Sequence, residues 1–428
     1  MAAEPEPLPL PWPTAPRARF VGGNTVRLLQ GGDELFPAML KAIAAAQREV
    51  WLATYIFDDD EAGARMAAAL VAAAQRGVRV HVVVDGFGTL ATLPTLRQRL
   101  AQDGLALAVF RPLDRWYAWL QPGQLRRLHQ KLCAVDDALG FVGGINIIDD
   151  RHDQRHGWSD APRLDFAVEL AGPLVQQVQR NARALWWRAH LGQGWREELR
   201  ALARSTAPVE GTLELLRHLR SGASAPGERL PGDDNLVPVR AALLVRDNFR
   251  QRRAIERSYV EAIRQARVRV ELACPYFYPG RAFRRTLRLA AARGVQVRLL
   301  MQGKVDYRLA GLAARVLYDE MRRHGIRIFE YAPAFLHAKV AVVDDDWATV
   351  GSSNIDPLSL LLNLEANVVV RDVGFAAALR QCFDAAIADS VEVADAAHGP
   401  GWRGWLSRGF VAWCAGIYLR LGGISGRY

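Results

Sequence analysis

The chain has 428 residues, half of them hydrophobic, which is enough to bury a large core and excludes a protein that is disordered throughout. The formal net charge is +10 and the pI is near 9.8, and both favour a polyanionic partner such as anionic lipid, nucleic acid or another phosphate ester. The four cysteines stand apart without a Cys-x-x-Cys pair, which argues against disulfides and a zinc site and for a reducing compartment.

The chain begins with a segment that we expect to be a disordered tail, since residues 1–20 include six prolines. This segment lacks the apolar stretch of a signal peptide. No apolar run elsewhere reaches the ~18–20 residues that a membrane span requires. We therefore expect a protein that is soluble or bound to a membrane surface, on the cytoplasmic side.

Helices and strands alternate in the first half of the sequence. Apolar residues recur at helical spacing between Phe36 and Ile43, which predicts an amphipathic helix. The apolar run 50–57 predicts a buried strand. The segment 58–86 predicts a helix with an acidic start, ended by Gly77 and followed by a strand.

The second half repeats this order. Segment 255–277 predicts a helix that leads into a strand, and segment 282–303 predicts a helix, a glycine stop and a strand. Residues 72–86 and 289–303 align without a gap, as AAAQRGVRVHVVVDG and LAAARGVQVRLLMQG. This internal duplication predicts an α/β fold of two pseudo-symmetric lobes, each a mixed β-sheet flanked by helices.

The domain organisation follows from the duplication and from composition. We place the first lobe at 21–205, a linker rich in Gly, Pro and Ser at 206–236, and the second lobe at 237–395. The remaining segment, 396–428, mixes aromatic residues with arginine, which favours a helix that lies in a membrane interface. The alternative is a helix that packs back on the core with a few arginines at its surface.

One phrase occurs in both halves, as HQKLCAVDDALGFVGGIN at 129–146 and HAKVAVVDDDWATVGSSN at 337–354. Two of the four lysines in this arginine-rich chain fall inside it, which indicates a need for ammonium groups there. A constant offset of 208 residues relates five shared positions: His129, Lys131, Asp136, Gly143 and Asn146 in the first copy, and His337, Lys339, Asp344, Gly351 and Asn354 in the second.

Each copy predicts a β-hairpin in which His and Lys, two residues apart, project from one face. If the lobes face each other, two imidazoles and two ammoniums converge at the lobe interface. Such a set suits phosphodiester chemistry: the ammoniums neutralise phosphate oxygens, one imidazole attacks phosphorus, and the other transfers protons. No metal or other cofactor is needed for these roles. The acids Asp58 and Asp60 are better explained by a helix start than by a metal site.

The two His-x-Lys-x4-Asp motifs resemble the signature of the phospholipase D superfamily, and the resemblance covers nearly all of residues 22–395. The stretch 344–370 is similar to the bacterial cardiolipin synthases of that superfamily, most of all the B type. The resemblance implies a peripheral membrane phosphatidyltransferase. It would move a phosphatidyl group from phosphatidylglycerol, through a phosphohistidine, to a second phosphatidylglycerol, and release glycerol.

The resemblance also implies roles for individual residues. The catalytic set comprises the motif residues His129, Lys131, Asp136, His337, Lys339 and Asp344. Acids beyond each motif, Asp165 and Glu365, are expected to lie against histidine ring nitrogens. Phosphate-binding or supporting roles fall to Gly143, Asn146, Gly351, Ser352, Ser353 and Asn354. The first copy has Gly144 where the second has Ser352, so we expect an asymmetric phosphate site, with His129 as nucleophile and His337 as general acid.

Three other functions remain open at this stage. The motifs also fit a phospholipase D-type hydrolase, a transferase that uses another alcohol, and a basic nuclease of the same superfamily. Aromatic and arginine residues in the loop 111–129, including Trp116 and Trp119, favour a lipid headgroup over nucleic acid. The alternative for this loop is an ordinary surface segment. We therefore expect an anionic phospholipid, phosphatidylglycerol, and a membrane surface as partners.

Overall fold

The computed structural model describes residues 17–113, 126–154, 156–204, 239–247, 251–304, 317–356 and 363–393. Most of the predicted tail, the linker and the C-terminal segment lie outside these residues, as do the tryptophans of the loop 111–129. Within the described part of the chain, none of the helices is both long and apolar enough to cross a membrane.

The first half begins with alternating strands and helices and continues with a run of strands, and the two strands of each motif hairpin are short. In chain order the elements are β1 (Val21–Gln30), α1 (Gly31–Ala45), β2 (Glu49–Thr54), α2 (Glu61–Gln75), β3 (Arg79–Asp85), α3 (Leu93–Arg99), β4 (Leu105–Phe110), β5 (Lys131–Val135), β6 (Leu139–Gly143), β7 (His152–Asp153), β8 (Gly157–Trp158), β9 (Phe166–Ala171) and α4 (Val175–Arg204).

The second half repeats the main strands and helices of the first in the same order and adds a strand at the end. Its elements are β10 (Val239–Arg246), α5 (Ala254–Gln265), β11 (Arg269–Ala273), α6 (Arg281–Ala292), β12 (Gln296–Gln302), β13 (Arg327–Tyr331), β14 (Val340–Val343), β15 (Trp347–Gly351), β16 (Glu365–Arg371), α7 (Val373–Ala388) and β17 (Ser390–Glu392).

The sheets of the two halves form one continuous sheet. Its strand order is β17-β13-β12-β11-β14-β15-β16-β10-β1-β9-β6-β5-β2-β3-β4. From the central β10–β1 pair outward, the two halves have the same strand order, which gives a pseudo-twofold arrangement. The pair is antiparallel, with Val21 opposite Ala241 and Asn24 opposite Val239. The predicted two-lobed α/β fold is confirmed, and β1 and β10 are strands that the sequence patterns did not reveal.

Both faces of the sheet are covered by helices, because its strands carry apolar residues on both sides. In β2, Trp51 and Ala53 face a core that includes α4 and α7, whereas Val50 and Leu52 face the core under α1 and α2. The first of these cores contains residues from both halves, so the lobes share one hydrophobic interior. Successive strand residues point to opposite faces, which is why an uninterrupted apolar run fits a strand buried on both sides.

Local sequence features set the ends of α2. The Oδ1 atom of Asp60 accepts a hydrogen bond from the backbone N–H of Gly63 at 2.9 Å, so Asp60 is the N-cap of the helix. At the other end Gly77 has φ +90°, a conformation that glycine adopts without strain. Its counterpart after α6, Gly294, has φ +88°. The predicted helix–glycine–strand unit is therefore present in both halves.

Candidate active site

Two short backbone bridges join the halves next to the motif histidines. The N–H of His129 donates to the carbonyl of Leu364 at 3.0 Å, and the N–H of His337 donates to the carbonyl of Leu164 at 2.9 Å. Both histidines therefore lie just before the hairpin strand that follows them, not within it. Each bridge places the residue after the leucine, Glu365 or Asp165, beside the histidine of the other half.

Each histidine contacts a carboxyl group from the opposite half. Nδ1 of His129 lies 3.1 Å from Oε2 of Glu365, and Nδ1 of His337 lies 2.6 Å from Oδ2 of Asp165. Both acids are almost completely buried. The structure describes no hydrogen bond to Nε2 of either ring within the residues it covers, so both Nε2 atoms are available to a substrate. The expected contact between acids and histidines is thus present, and it crosses between the halves.

The two motif lysines are buried in the same place. Nζ of Lys131 donates to the carbonyl of His129 at 2.8 Å, and Nζ of Lys339 donates in the same way to the carbonyl of His337. Burial, together with the charge of Lys339, lowers the pKa of Lys131 to about 7. Burial likewise lowers the pKa of Lys339 to about 8. Two ammoniums so close that one lowers the pKa of the other are an arrangement that suits a phosphate anion.

The pKa values of the two histidines are both lowered. Burial lowers the pKa of His129, against the opposing effect of Glu365. The pKa of His337 lies well below its ordinary value, through burial and the charges of Lys339, Arg163 and Lys131. Both imidazoles are therefore neutral near pH 7, as a nitrogen nucleophile requires.

The pKa values of the two carboxyl groups, in contrast, are shifted in opposite directions. Burial raises the pKa of Asp165 despite the nearby ammonium of Lys339. Burial alone would raise the pKa of Glu365 too, but His129, Lys131 and the hydroxyl of Ser352 bring it below its ordinary value. The two histidine–carboxyl pairs thus differ in how readily they hold a proton.

The residue beside each carboxyl group explains part of this difference. Oγ of Ser352 donates to Oε2 of Glu365 at 2.6 Å and stabilises its ionised form. At the equivalent position, any side chain on Gly144 would collide with the carboxylate of Asp165. Gly144 therefore makes room for Asp165, whereas Ser352 supports Glu365. The two motif copies therefore differ beside the carboxyl groups, while an asymmetric phosphate site stays a prediction.

The motif aspartates lie at the far end of the hairpins, so the prediction that they belong to the catalytic set is corrected. The carboxylate of Asp136 accepts hydrogen bonds from the backbone N–H groups of residues 47, 48 and 49, at 2.6, 2.8 and 2.8 Å. Asp344 accepts equivalent bonds from residues 267–269. A strand of five residues separates Asp136 from His129, about 16 Å at 3.3 Å per residue. These carboxylates hold the hairpin turn.

The remaining motif residues support the strands around the histidines. Gly143 lies so close to β9 that a Cβ would approach Cα of Ala167 to 2.5 Å. Gly351 is similarly close to β16, where a side chain would collide with Asn367. Oδ1 of Asn146 accepts from the N–H of Ile56 at 3.1 Å.

The polar residues of the second copy are bonded within their loop and to neighbouring strands and their ends. Oγ of Ser353 donates to the carbonyl of Asn354 at 3.2 Å, and its N–H donates to Oδ1 of Asn367 at 3.3 Å. Oδ1 of Asn354 lies 3.8 Å from Sγ of Cys274. These contacts give supporting roles, while phosphate binding by the same residues stays a prediction.

Two residues of the site were missed by the motif analysis. The ring of Tyr55 lies 5.1 Å from that of His129 and 5.5 Å from Nζ of Lys131, and forms one wall of the site. The buried carboxyl of Asp85 accepts the N–H of Leu128 at 2.8 Å. Burial raises the pKa of Asp85 to about 6. Asp85 is the last residue of β3 and the last position but one of the gapless alignment between the halves. A polar residue at the end of an apolar strand was the available signal.

A second group of acids and histidine lies apart from the paired lysines. Nδ1 of His152 is 4.0 Å from Oδ1 of Asp58 and 3.6 Å from Oδ2 of Asp60. These oxygens already accept the N–H groups of Asp59 at 2.9 Å and Asp149 at 2.7 Å. Asp60 therefore caps the helix start, as the sequence predicted, and both acids also bond to an adjoining loop.

Comparisons with known proteins agree with this geometry. A family model described as "Cardiolipin synthase, PLD-like domain" matches residues 39–186 and 259–387. The chain is 35% identical over 394 residues to cardiolipin synthase B of Escherichia coli, covering 90% of this chain and 85% of that protein. It is 31% identical over 384 residues to cardiolipin synthase A of Pseudomonas fluorescens, covering 89% and 72%. The crystal structure of phosphatidylserine synthase from Haemophilus influenzae shares the fold, with a TM-score of 0.65 at 13% identity over 94% of this chain and 96% of that one.

Proposed function

The chain belongs to the cardiolipin synthase family of phospholipase D-like proteins, and we propose that it transfers a phosphatidyl group from one phosphatidylglycerol to another. The products are cardiolipin and glycerol. The observation that carries the proposal is the pair of partly buried histidines, each with Nδ1 on a carboxyl group of the opposite half and Nε2 available, beside two buried lysines.

The opposite pKa shifts of the carboxyl groups favour different tautomers of the two histidines. Glu365, with its lowered pKa, is an acceptor for the Nδ1–H of His129, which leaves a lone pair on Nε2. Asp165, with its raised pKa, holds a proton more readily and can donate it to Nδ1 of His337, which leaves the hydrogen on Nε2. We therefore assign His129 as the nucleophile and His337 as the acid.

In the first step, Nε2 of His129 attacks the phosphorus of the donor lipid and a P–N bond forms. The P–O bond to the glycerol headgroup breaks, and the leaving oxygen takes the proton from Nε2 of His337. The proton of Asp165 can then move to Nδ1 of His337. Ionised Glu365 stabilises the positive charge that develops on the imidazole of His129.

In the second step, the hydroxyl of the acceptor lipid attacks phosphorus. Its proton passes to Nε2 of His337 while the Nδ1 proton of His337 returns to Asp165. The new P–O bond forms and the P–N bond breaks, which restores both histidines and Asp165. Through both steps the ammoniums of Lys131 and Lys339 neutralise the non-bridging phosphate oxygens. Two fixed cations in a buried site stabilise this charge more strongly than solvent would.

The reaction requires contact with a lipid surface, and we propose peripheral attachment at the cytoplasmic face of the cell membrane. The net charge of +10 supports attraction to an anionic leaflet. The aromatic and arginine residues of segment 396–428, which lies outside the described residues, would supply the interfacial contact.

Purified protein incubated with phosphatidylglycerol vesicles tests the proposal. Cardiolipin and glycerol should form in equal amounts, whereas phosphatidic acid as the main product would show a hydrolase. His129→Ala and His337→Ala should each lower turnover by at least about 10³-fold, since neither role can be filled by solvent. The exposed His324 supplies a matched control, and His324→Ala should retain activity. A trapped phosphatidyl adduct should be found on His129 and be absent from the His129→Ala protein.

A further inference from the structure

Each half places a cation over an aromatic ring beside its motif histidine, but with the two residue types exchanged. Cζ of Arg127 lies 5.4 Å from the ring centre of Phe87, and Nζ of Lys304 lies 5.9 Å from the ring centre of Phe335. Arg127 and Phe335 both stand two residues before the histidine of their motif. Phe87 and Lys304 both follow the end of the corresponding strand, β3 or β12.

The charge next to these cations differs between the halves. In the first half, Nη1 of Arg127 lies 3.7 Å from Oδ1 of Asp85, so a carboxyl group accompanies the guanidinium. In the second half, the position of Asp85 is taken by Gln302, whose neutral Oε1 accepts the N–H of Leu336 at 2.8 Å. The structure therefore keeps the backbone contact in both halves but keeps the carboxyl group in only one.

Lys304 consequently carries a charge that the described surroundings do not balance. Its Nζ donates to the carbonyl of Pro333 at 3.1 Å, and within the described residues no carboxylate oxygen lies within salt-bridge distance of it. An ammonium has three donors, so two N–H groups remain for a ligand. The aromatic contact with Phe335 fixes the direction of the side chain while leaving this end exposed.

A second cation lies on the same side of the site. Arg163 lies close enough to His337 to lower its pKa. Its Nη2 donates to the carbonyl of His152 at 3.0 Å and lies 3.5 Å from Oδ2 of Asp153, which balances part of its charge. Phe335 is two residues from His337, about 7 Å along an extended chain. This distance is comparable to a glycerol unit with its phosphate ester. An acceptor hydroxyl at His337 would thus leave the acceptor's own phosphate near Lys304.

We propose that Lys304, positioned by Phe335 and assisted by Arg163, binds the phosphate diester of the acceptor lipid. The inference rests on the proposed transfer between two phospholipids. The donor lipid brings one phosphate to the site, and an acceptor lipid brings a second. It assigns donor and acceptor to opposite sides of the site: the donor phosphate binds between Lys131 and Lys339, and the acceptor phosphate binds on the side of the second half.

The test compares two acceptors in one reaction. Phosphatidylglycerol vesicles are supplied with labelled glycerol, so that the phosphatidyl-enzyme can react with glycerol, which has no phosphate, or with a second lipid. Lys304→Gln should lower the ratio of cardiolipin to labelled phosphatidylglycerol by about tenfold or more, the loss expected for a hydrogen bond to a charged group. Lys304→Arg should restore most of the ratio. Lys41→Gln, the same change at an exposed position on α1, should leave it unchanged.

The outcomes separate the two proposals. An unchanged ratio in Lys304→Gln, whether or not both products decrease together, refutes the acceptor site. Wild-type protein that makes labelled phosphatidylglycerol but no cardiolipin refutes the proposed function instead, and the acceptor site with it. A thermal melt of each variant should match that of the wild type, since Lys304 is not part of the core.

Discussion

The role of Asp136 can be tested against the catalytic role that its motif position suggested. Its carboxylate accepts three backbone N–H groups and its backbone has φ +55°, in the left-handed region. We expect Asp136→Ala to reduce the free energy of unfolding and to leave turnover by the folded protein unchanged. Asp344, which is bonded in the same way, is the matched position in the other half.

The magnitude follows from the contacts that are lost. Three hydrogen bonds at a partly exposed carboxylate contribute about 1 kcal/mol each. Alanine in a left-handed conformation adds about 1 kcal/mol of strain. Asp136→Ala should therefore cost about 4 kcal/mol. Asp136→Asn should cost about 1 kcal/mol, because one oxygen still accepts two N–H groups and asparagine tolerates this backbone.

Urea unfolding and vesicle assays on the same preparations provide the measurement. The pKa of Asp136 lies below its ordinary 3.8, so its stabilisation is present above that pH and is lost as the pH falls through the lowered value. The difference between wild type and Asp136→Ala should accordingly shrink in acid. A variant with wild-type stability and a kcat reduced by about 10²-fold or more would show that the aspartate acts in catalysis and that this reasoning is wrong.

Three further predictions concern the site. The value of kcat/KM should fall as the pH rises through about 7 to 8, because Lys131 and Lys339 lose their protons there. In the pH profile of Lys131→Gln, the lower of these two transitions should be absent. Gly144→Ser, which copies the second half into the first, should lower kcat by about tenfold or more by displacing Asp165 from His337, and unchanged kcat would contradict the steric argument. Dialysis against EDTA should leave activity within about twofold, since the two ammoniums supply the positive charge, and a loss restored by added metal would contradict this.

Much of the fold is predictable from local patterns. The helix–glycine–strand units and the motif hairpins each depend on residues close in sequence, and α2 begins at Asp60 and ends before Gly77 as its sequence indicates. Strands β1 and β10 are different. They join the halves through pairing with each other across more than half of the chain, and no local period marks a strand whose neighbours are so distant.

Prediction of the site from sequence has the same limit, because its contacts join residues that are distant in the chain. The resemblance located Asp165 and Glu365, but it gave no sign that each would serve the histidine of the other half, because that depends on how the lobes dock. The motif pattern also misplaced Asp136. A carboxylate five residues from a lysine is close in sequence, yet its partners are the N–H groups of residues 47–49, far away in the chain. The predicted domain boundaries stay predictions.

Each half supplies the carboxyl group that contacts the histidine of the other half, and this has a consequence for symmetry. Two separate copies of one half, related by a twofold axis, could form every contact of this kind, with β1 paired to its own equivalent across the axis. In such a dimer both histidines would have identical surroundings and could not differ in tautomer before substrate binds. Joining the halves in one polypeptide removes that identity. Ser352 beside Glu365, and Gly144 beside Asp165, are substitutions that only a fused chain can carry on one side alone.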